Sequence, residues 1–290
     1  MRVLIAGAGG QVGRALIRTA PKTTELVPLT HSQLDLADPH AVKTVMTEVR
    51  PDVVINAAAY TAVDNAESDV AAAQAINADA VRALAEAVST SPRCRLLHIS
   101  TDFVFDGTQS IPYRPNDATA PLGVYGSTKL AGERAVTELL GVRGMVLRTS
   151  WVYDAAGRNF VTSMLRLMHA DRPVRVVADQ IGSPTSADSV ATALWEFTER
   201  PESNGIWHWS DAGVASWYDF AVAIGEEARS LGMLKTDPSV SPIGTAEYPT
   251  AARRPAFSVL NKQATIDALK LVPVHWRHNL RQVIREIAGA

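Results

Sequence analysis

Cysteine is nearly absent: Cys94 is the single one in 290 residues. One thiol excludes an internal disulfide and a cysteine-rich metal site, and its setting in "RCRLLHIS" puts it at the approach to a buried strand, where it is expected to be inert. Excess charge is missing too. Lys and Arg number 28 against 30 Asp and Glu, a net charge of −2, and no run of basic residues offers a footing for nucleic acid. No apolar run is long enough to span a bilayer, and "MRVLIAGAGG" passes within a few residues into a glycine turn rather than a polar cleavage region. The reading is a protein with no targeting segment, no membrane partner and a cytoplasmic home. Repeats and low-complexity segments are lacking as well, because the Ala-rich "DVAAAQAINADAVRALAEAV" keeps its apolar residues at helical spacing. What remains is 47% hydrophobic and 20% charged, enough for one large domain or two modest ones working on small molecules.

The first half alternates short apolar runs with amphipathic segments, the pattern of βα units feeding a parallel sheet. Strands are expected at "RVLIAG", "ELVPLT", "DVVINAA", "RLLHIS" and "GMVLRTS", and helices at "QVGRALIRTA", "PHAVKTVMTEV", residues 69 to 88 and a segment after residue 124. Beyond Trp151 the rhythm changes. Helix "NFVTSMLRLMHA", strand "VRVVAD", helix "DSVATALWEFTE", strand "GIWHWS" and helix "WYDFAVAIGEEARSL" precede a Pro-rich connector with adjacent Arg253 and Arg254, then two terminal helices. The expected class is α/β, a doubly wound parallel sheet over residues 1–150 and a smaller mixed lobe over 151–290, with the chain free to cross between them.

Six features bear on chemistry. In "GAGGQVG", Gly7, Gly10 and Gly13 follow a strand and open a helix, a variant of the dinucleotide fingerprint in which backbone N–H groups approach a pyrophosphate; a tight turn with no ligand is the plainer alternative. The second strand ends in Thr30, His31 and Ser32, without the carboxylate that takes the ribose 2′-hydroxyl of NAD, which leans towards NADPH while leaving NADH open. Asp35 in "LDLAD" is either an adenine contact or a plain turn before a helix. Ala57 to Ala59 keep bulk away from the strand ends. Thr101 sits at the carboxyl end of a parallel strand, where ligands of open α/β sheets gather, and Ser100 points the other way by alternation. Tyr125 and Lys129, in "GVYGSTKLAGERAV", fall on one side of a helix about 6 Å apart along its axis, so their polar ends can meet over one ligand. A surface helix with two packed side chains would look the same in isolation.

Together the glycine turn, the threonine and the Tyr/Lys pair resemble the extended short-chain dehydrogenase/reductase family, whose Rossmann-type domain carries these groups in this order. "NAAAYTAVDNAE", "STDFVFDG", "YGSTKLAGE", "RTSWVY", "NFV" and "DQIGSPT" narrow the resemblance to its dTDP-4-dehydrorhamnose reductase branch, over nearly the whole chain. The resemblance implies that Tyr125 donates a proton to the C4 oxygen of a 4-keto sugar, that Thr101 hydrogen-bonds that oxygen, and that Lys129 holds the nicotinamide ribose and lowers the tyrosine pKa. It further implies a pyrophosphate at Gly10, Gln11 and Val12, adenine at Asp35 and Leu36, the inner side of the cofactor at Ala59, Tyr60 and Thr61, and a dTDP-sugar at Asp102, Trp151 and Arg254. His275 and His278 in "HWRHN" lack further ligands and are read as no metal site. Some relatives dimerise through a magnesium ion held by a glutamate on the first helix; "QVGRALIRTA" has no carboxylate, so a metal-bridged dimer is not expected and a monomer or metal-free homodimer is. Three other readings share these motifs: an epimerase or dehydratase retaining NAD, a reductase of another dTDP-keto-deoxysugar, and a non-enzymatic relative such as the regulatory subunit of methionine adenosyltransferase.

Overall fold

The computed structural model describes residues 1–170 and 172–289. Six parallel strands form the central sheet: β1 (Arg2–Ala6), β2 (Glu25–Leu29), β3 (Val53–Asn56), β4 (Arg95–Thr101), β5 (Gly144–Thr149) and β6 (Gly205–His208), in spatial order β6-β5-β4-β3-β1-β2. Strands β3 and β5 are buried at every position, which is why they read as unbroken apolar runs and not as alternation. Pro28 lies in β2, an edge strand, where its missing N–H leaves no gap in the ladder. The chain leaves β1 for one side of the sheet and returns for β3 on the other, so a crevice opens between their carboxyl ends.

Alternation along β1 divides the core. Val3 and Ile5 face helices α1 (Gln11–Arg18) and α6 (Ala187–Thr198), whereas Leu4 and Ala6 face α2 (Pro39–Val49), the long helix α3 and α4 (Val124–Leu140). Helix α3 is not the uniform helix expected over 69 to 88. It runs as Val70–Gln74 and Ala80–Ser89 with a π-helical turn at Ala75–Asp79, which swings Asn77 inwards. A second core, around Phe220, Trp276 and Leu280, joins helices α5 (Phe160–His169), α7 (Trp217–Ser230) and α8 (Trp276–Ala288).

Two readings of the second half are revised. Strand "GIWHWS" belongs to the central sheet, pairing in parallel with β5, and α6 packs against α1. The connector is not loop throughout: Val240–Ile243 pairs in parallel with Val174–Val177, apart from the main sheet. Short strands with few apolar positions pair according to which edge the tertiary fold leaves open, and local pattern does not report this.

Beneath the sheet's carboxyl end lies a buried ion pair. Glu133 of α4 accepts from Arg148 Nε (2.9 Å) and Nη2 (2.7 Å), and both side chains are about excluded from water. Arg148 also donates to the Pro115 carbonyl, and Ser100 donates to Glu133. Removing one member strands the other charge, so Arg148→Met is expected to lower stability by about 3–5 kcal/mol, with Glu133→Leu added to it recovering most of the loss. Urea unfolding of both variants checks this; a mild single-variant loss would show the pair to be hydrated.

Candidate active site

The site grows from the turn after β1. Gly7 takes φ +81°, and a Cβ there would sit 2.5 Å from the Ala58 nitrogen; one on Gly13 would meet the Gly7 carbonyl at 2.2 Å. These two glycines let the turn close against β3 and α1. Gly10 then caps α1 with no side chain over the helix end, leaving N–H groups of the first turn facing a cleft of about 660 Å3. Gly10, Gln11, Val12, Ala57 to Ala59 and Thr61 form one wall of the cleft, and Thr101, Tyr125 and Lys129 the other.

Strand alternation turns Ser100 towards Glu133 and Thr101 into the cleft, where its hydroxyl donates to Asp102 Oδ1 (3.1 Å) and accepts from the Phe103 N–H (3.2 Å). Tyr125, in the first turn of α4, lays its ring edge-on to Phe103 with centroids 5.7 Å apart. Burial pushes its phenol up to about 12; the nearby Thr101 hydroxyl opposes the rise and the charge of Asp102 adds to it. The expected lowering by Lys129 is therefore not what this state shows. The reason is geometric: Lys129 Nζ is tied back to the Ile99 carbonyl at 2.6 Å, and burial moves the amine itself down to about 8, opposed by Glu133. Asp102 is 1% exposed, and its carboxyl rises to about 6 through burial, against hydrogen bonds from Ser258 and Thr101.

At the far end Trp151 adopts φ +48° and stacks on Trp217, centroids 3.5 Å apart and planes 6° from parallel. Arg254 forks onto Asp64 (Nη1–Oδ1 3.1 Å, Nη2–Oδ2 2.7 Å), holding that carboxyl below its ordinary range. Phe160, Trp217 and Arg254 line both the main cleft and an adjoining cavity of about 300 Å3 that reaches Arg175, Gln180 and Tyr248.

Some expected contacts lie apart from the cleft wall. Asp35 accepts from the Ala37 N–H on the surface, and the Leu36 side chain is buried in the core beneath α2. Tyr60 is clamped by Asn77, whose Oδ1 accepts from its N–H (2.9 Å) and whose Nδ2 donates to its carbonyl (3.0 Å). His275 caps α8 by accepting from the Arg277 N–H, and among the described residues no three His, Cys, Asp or Glu converge. On α1, Arg14 and Arg18 reach the buried carboxylate of Asp154, while Asn159, the cap of α5, donates to Gln11 at the cleft. Sequence reasoning missed Asn77, His98, Glu133, Arg148 and Trp217. A polar residue on an otherwise apolar strand or helix face was the available signal for the first four; Trp217 had none.

Comparison with known proteins agrees with this geometry. The family model described as "RmlD substrate binding domain" matches residues 1–288. The chain is 41% identical to the dTDP-4-dehydrorhamnose reductase of Burkholderia thailandensis, covering 99% of both chains. It is also 41% identical to a probable dTDP-4,6-dihydroxy-2-methyloxan-3-one 4-ketoreductase of Streptomyces antibioticus, covering all of this chain and 97% of that one. Among solved structures, the dTDP-4-dehydrorhamnose reductase of Bacillus anthracis in complex with NADP superposes with a TM-score of 0.91 at 34% identity, over 98% of this chain and 99% of that one. A Rossmann-type sheet, a glycine turn at its switch point and a Thr/Tyr/Lys wall thus coincide with a match over nearly the full length, and the chain belongs to the RmlD substrate binding domain family.

Proposed function

We propose that the protein reduces the C4 ketone of dTDP-4-dehydro-L-rhamnose with NADPH, giving dTDP-L-rhamnose for cell-envelope polysaccharide. The observation that carries this reading is the convergence of Thr101, Tyr125 and Lys129 opposite an uncapped, glycine-lined helix end in one cleft.

The cleft suits a dinucleotide: the open end of α1 offers N–H groups to a pyrophosphate, Ala57 to Ala59 leave room above β3, and Thr30 presents no carboxylate to a 2′-phosphate. When bound, NADPH supplies the hydride. Lys129 holds the nicotinamide ribose, and Asp35 with the backbone at Leu36 stands on the adenine side. Thr101 hydrogen-bonds the ketone oxygen. Tyr125, kept as a phenol by its surroundings, transfers its proton to that oxygen as a C–H bond forms at C4, and is left as tyrosinate. Trp151 offers its face to the sugar, and Arg254, turning from Asp64, pairs with the substrate pyrophosphate. The N-terminal part, residues 1–150 with β6 and α6 added, serves the cofactor, and the remainder serves the substrate. Helix α1 carries no carboxylate where some relatives hold a magnesium ion, which favours a monomer or a homodimer without a metal bridge; the cytoplasm is the location this reading implies. The Streptomyces relative favours a second reading, reduction of another dTDP-keto-deoxysugar; NADPH oxidation with dTDP-4-dehydro-L-rhamnose beside other dTDP-keto sugars decides between them.

Tyr125→Phe keeps the ring and removes the proton, so NADPH binding is expected to persist while turnover falls by roughly 10² to 10⁴. Stopped-flow titration with steady-state rates tests this, and near-normal turnover would remove Tyr125 from the mechanism. Thr30→Asp places a negative charge where a 2′-phosphate would lie and is expected to shift preference towards NADH, read as the ratio of kcat/KM for the two cofactors. Arg254→Ala and Trp151→Ala are expected to raise substrate KM with NADPH affinity unchanged; the reverse pattern would move both residues to the cofactor side.

A further inference from the structure

A polar chain that the mechanism does not use runs beneath the catalytic wall. Asn56 closes β3 and His98 lies beside it on β4, both buried to within 1% of complete exclusion from water. Asn56 Oδ1 accepts from the Ala58 N–H at 3.1 Å, and this decides which way the amide faces: its NH2 must point at His98. The contact is Asn56 Nδ2 to His98 Nδ1 at 3.2 Å. A neutral imidazole has one N–H, so Nδ1, receiving a donor, is bare, and the hydrogen is on Nε2. Nε2 lies 3.4 Å from Lys129 Nζ.

This sets two donors face to face if Lys129 is an ammonium. An ammonium has only hydrogens to offer, whereas an amine has a lone pair that accepts from Nε2–H while the amine still donates to the Ile99 carbonyl. A second proton on His98 offers no escape, because burial and the nearby lysine charge both hold the imidazolium off. We infer that His98 is a positioning residue for Lys129: its tautomer, fixed by Asn56, presents Nε2–H to the lysine nitrogen and favours the uncharged amine.

The other groups around Nζ do not reverse this. From α4 come Tyr125, a phenol in this state, and Glu133, which favours the ammonium but is already engaged by Arg148 and Ser100. Arg148, from β5, is paired with Glu133, and Asp102, beyond β4, accepts from the Thr101 hydroxyl. The descent of the amine to about 8 has the same direction. Lys129 then crosses between amine and ammonium close to working pH. Above that crossing it loses the charge with which it steadies a tyrosinate, so the reductive rate falls as pH rises through it. Only this rate consequence rests on the reductase reading; the hydrogen-bond pattern does not.

Nitrogen NMR on substrate-free enzyme labelled at histidine tests the tautomer directly, with the His98 signals identified by their loss in His98→Phe. A protonated Nε2 and a bare Nδ1 are expected; a protonated Nδ1 in the unmodified protein overturns the inference. Asn56→Asp keeps an acceptor for the Ala58 N–H and adds one for the ring, so the hydrogen should move to Nδ1 and Nε2 should accept from a Lys129 ammonium. The midpoint of Lys129, followed at its ε-carbon and identified by its loss in Lys129→Met, is then expected to rise by about one unit or more, with the basic limb of the pH–rate profile following. A rise in midpoint without the tautomer change would be charge acting through space and would overturn the proposal, as would an unchanged midpoint. Failure of Asn56→Asp to fold leaves the measurement on the unmodified protein to decide. Absence of activity on dTDP-keto sugars with the expected tautomer in place would count against the proposed reaction alone.

Discussion

The register of α4 against β4 is the constraint on which the site depends. Tyr125 and Lys129 sit one turn apart on that helix, and Thr101 ends that strand, so a slip of either element separates the three groups. Two contacts prevent the slip. At Gly126 the helix approaches so closely that a Cβ would lie 2.2 Å from the Phe103 carbonyl. One turn beyond Lys129, Glu133 is held by Arg148 of β5 and Ser100 of β4, tying the buried face of the helix to two adjacent strands by charge and hydrogen bonds. A buried pair of this kind contributes little net stability over apolar packing, yet it penalises every alternative register by leaving a charge unpaired.

The same interior gives the titrating groups their character. Tyr125, Lys129 and Asp102 all move towards their neutral forms, because burial disfavours charge on each. For a reduction this suits the tyrosine, which must begin with its proton. For the lysine it means that charge is conditional and is set by the polar atoms that surround the amine.

The motifs were legible because each has a local cause. A glycine turn between strand and helix, a threonine at a strand end and a Tyr-x-x-x-Lys on a helix require only short-range geometry, and short-range geometry is written in consecutive residues. Alternation likewise separated Ser100 from Thr101 correctly, since side chains of a strand change face at every step. How strongly the lysine acts on the tyrosine was not legible in the same way: it depends on where Nζ is anchored, and the anchor is the carbonyl of Ile99, thirty residues away in the chain.

By itself, the sequence determined the parallel α/β class, the succession of the first five strands along the chain, the glycine turn at the switch point and the Thr101, Tyr125 and Lys129 side chains that line one cleft. Each follows from apolar periodicity or from residues no more than a few positions apart. Only the tertiary structure decided that Gly205–His208 joins the main sheet, that α3 carries a π turn aiming Asn77 at Tyr60, and that Asn56 and His98 stand beneath Lys129. Those are pairings between distant segments, chosen by which edges and buried polar atoms the folded chain leaves to be satisfied, and no local pattern encodes that choice.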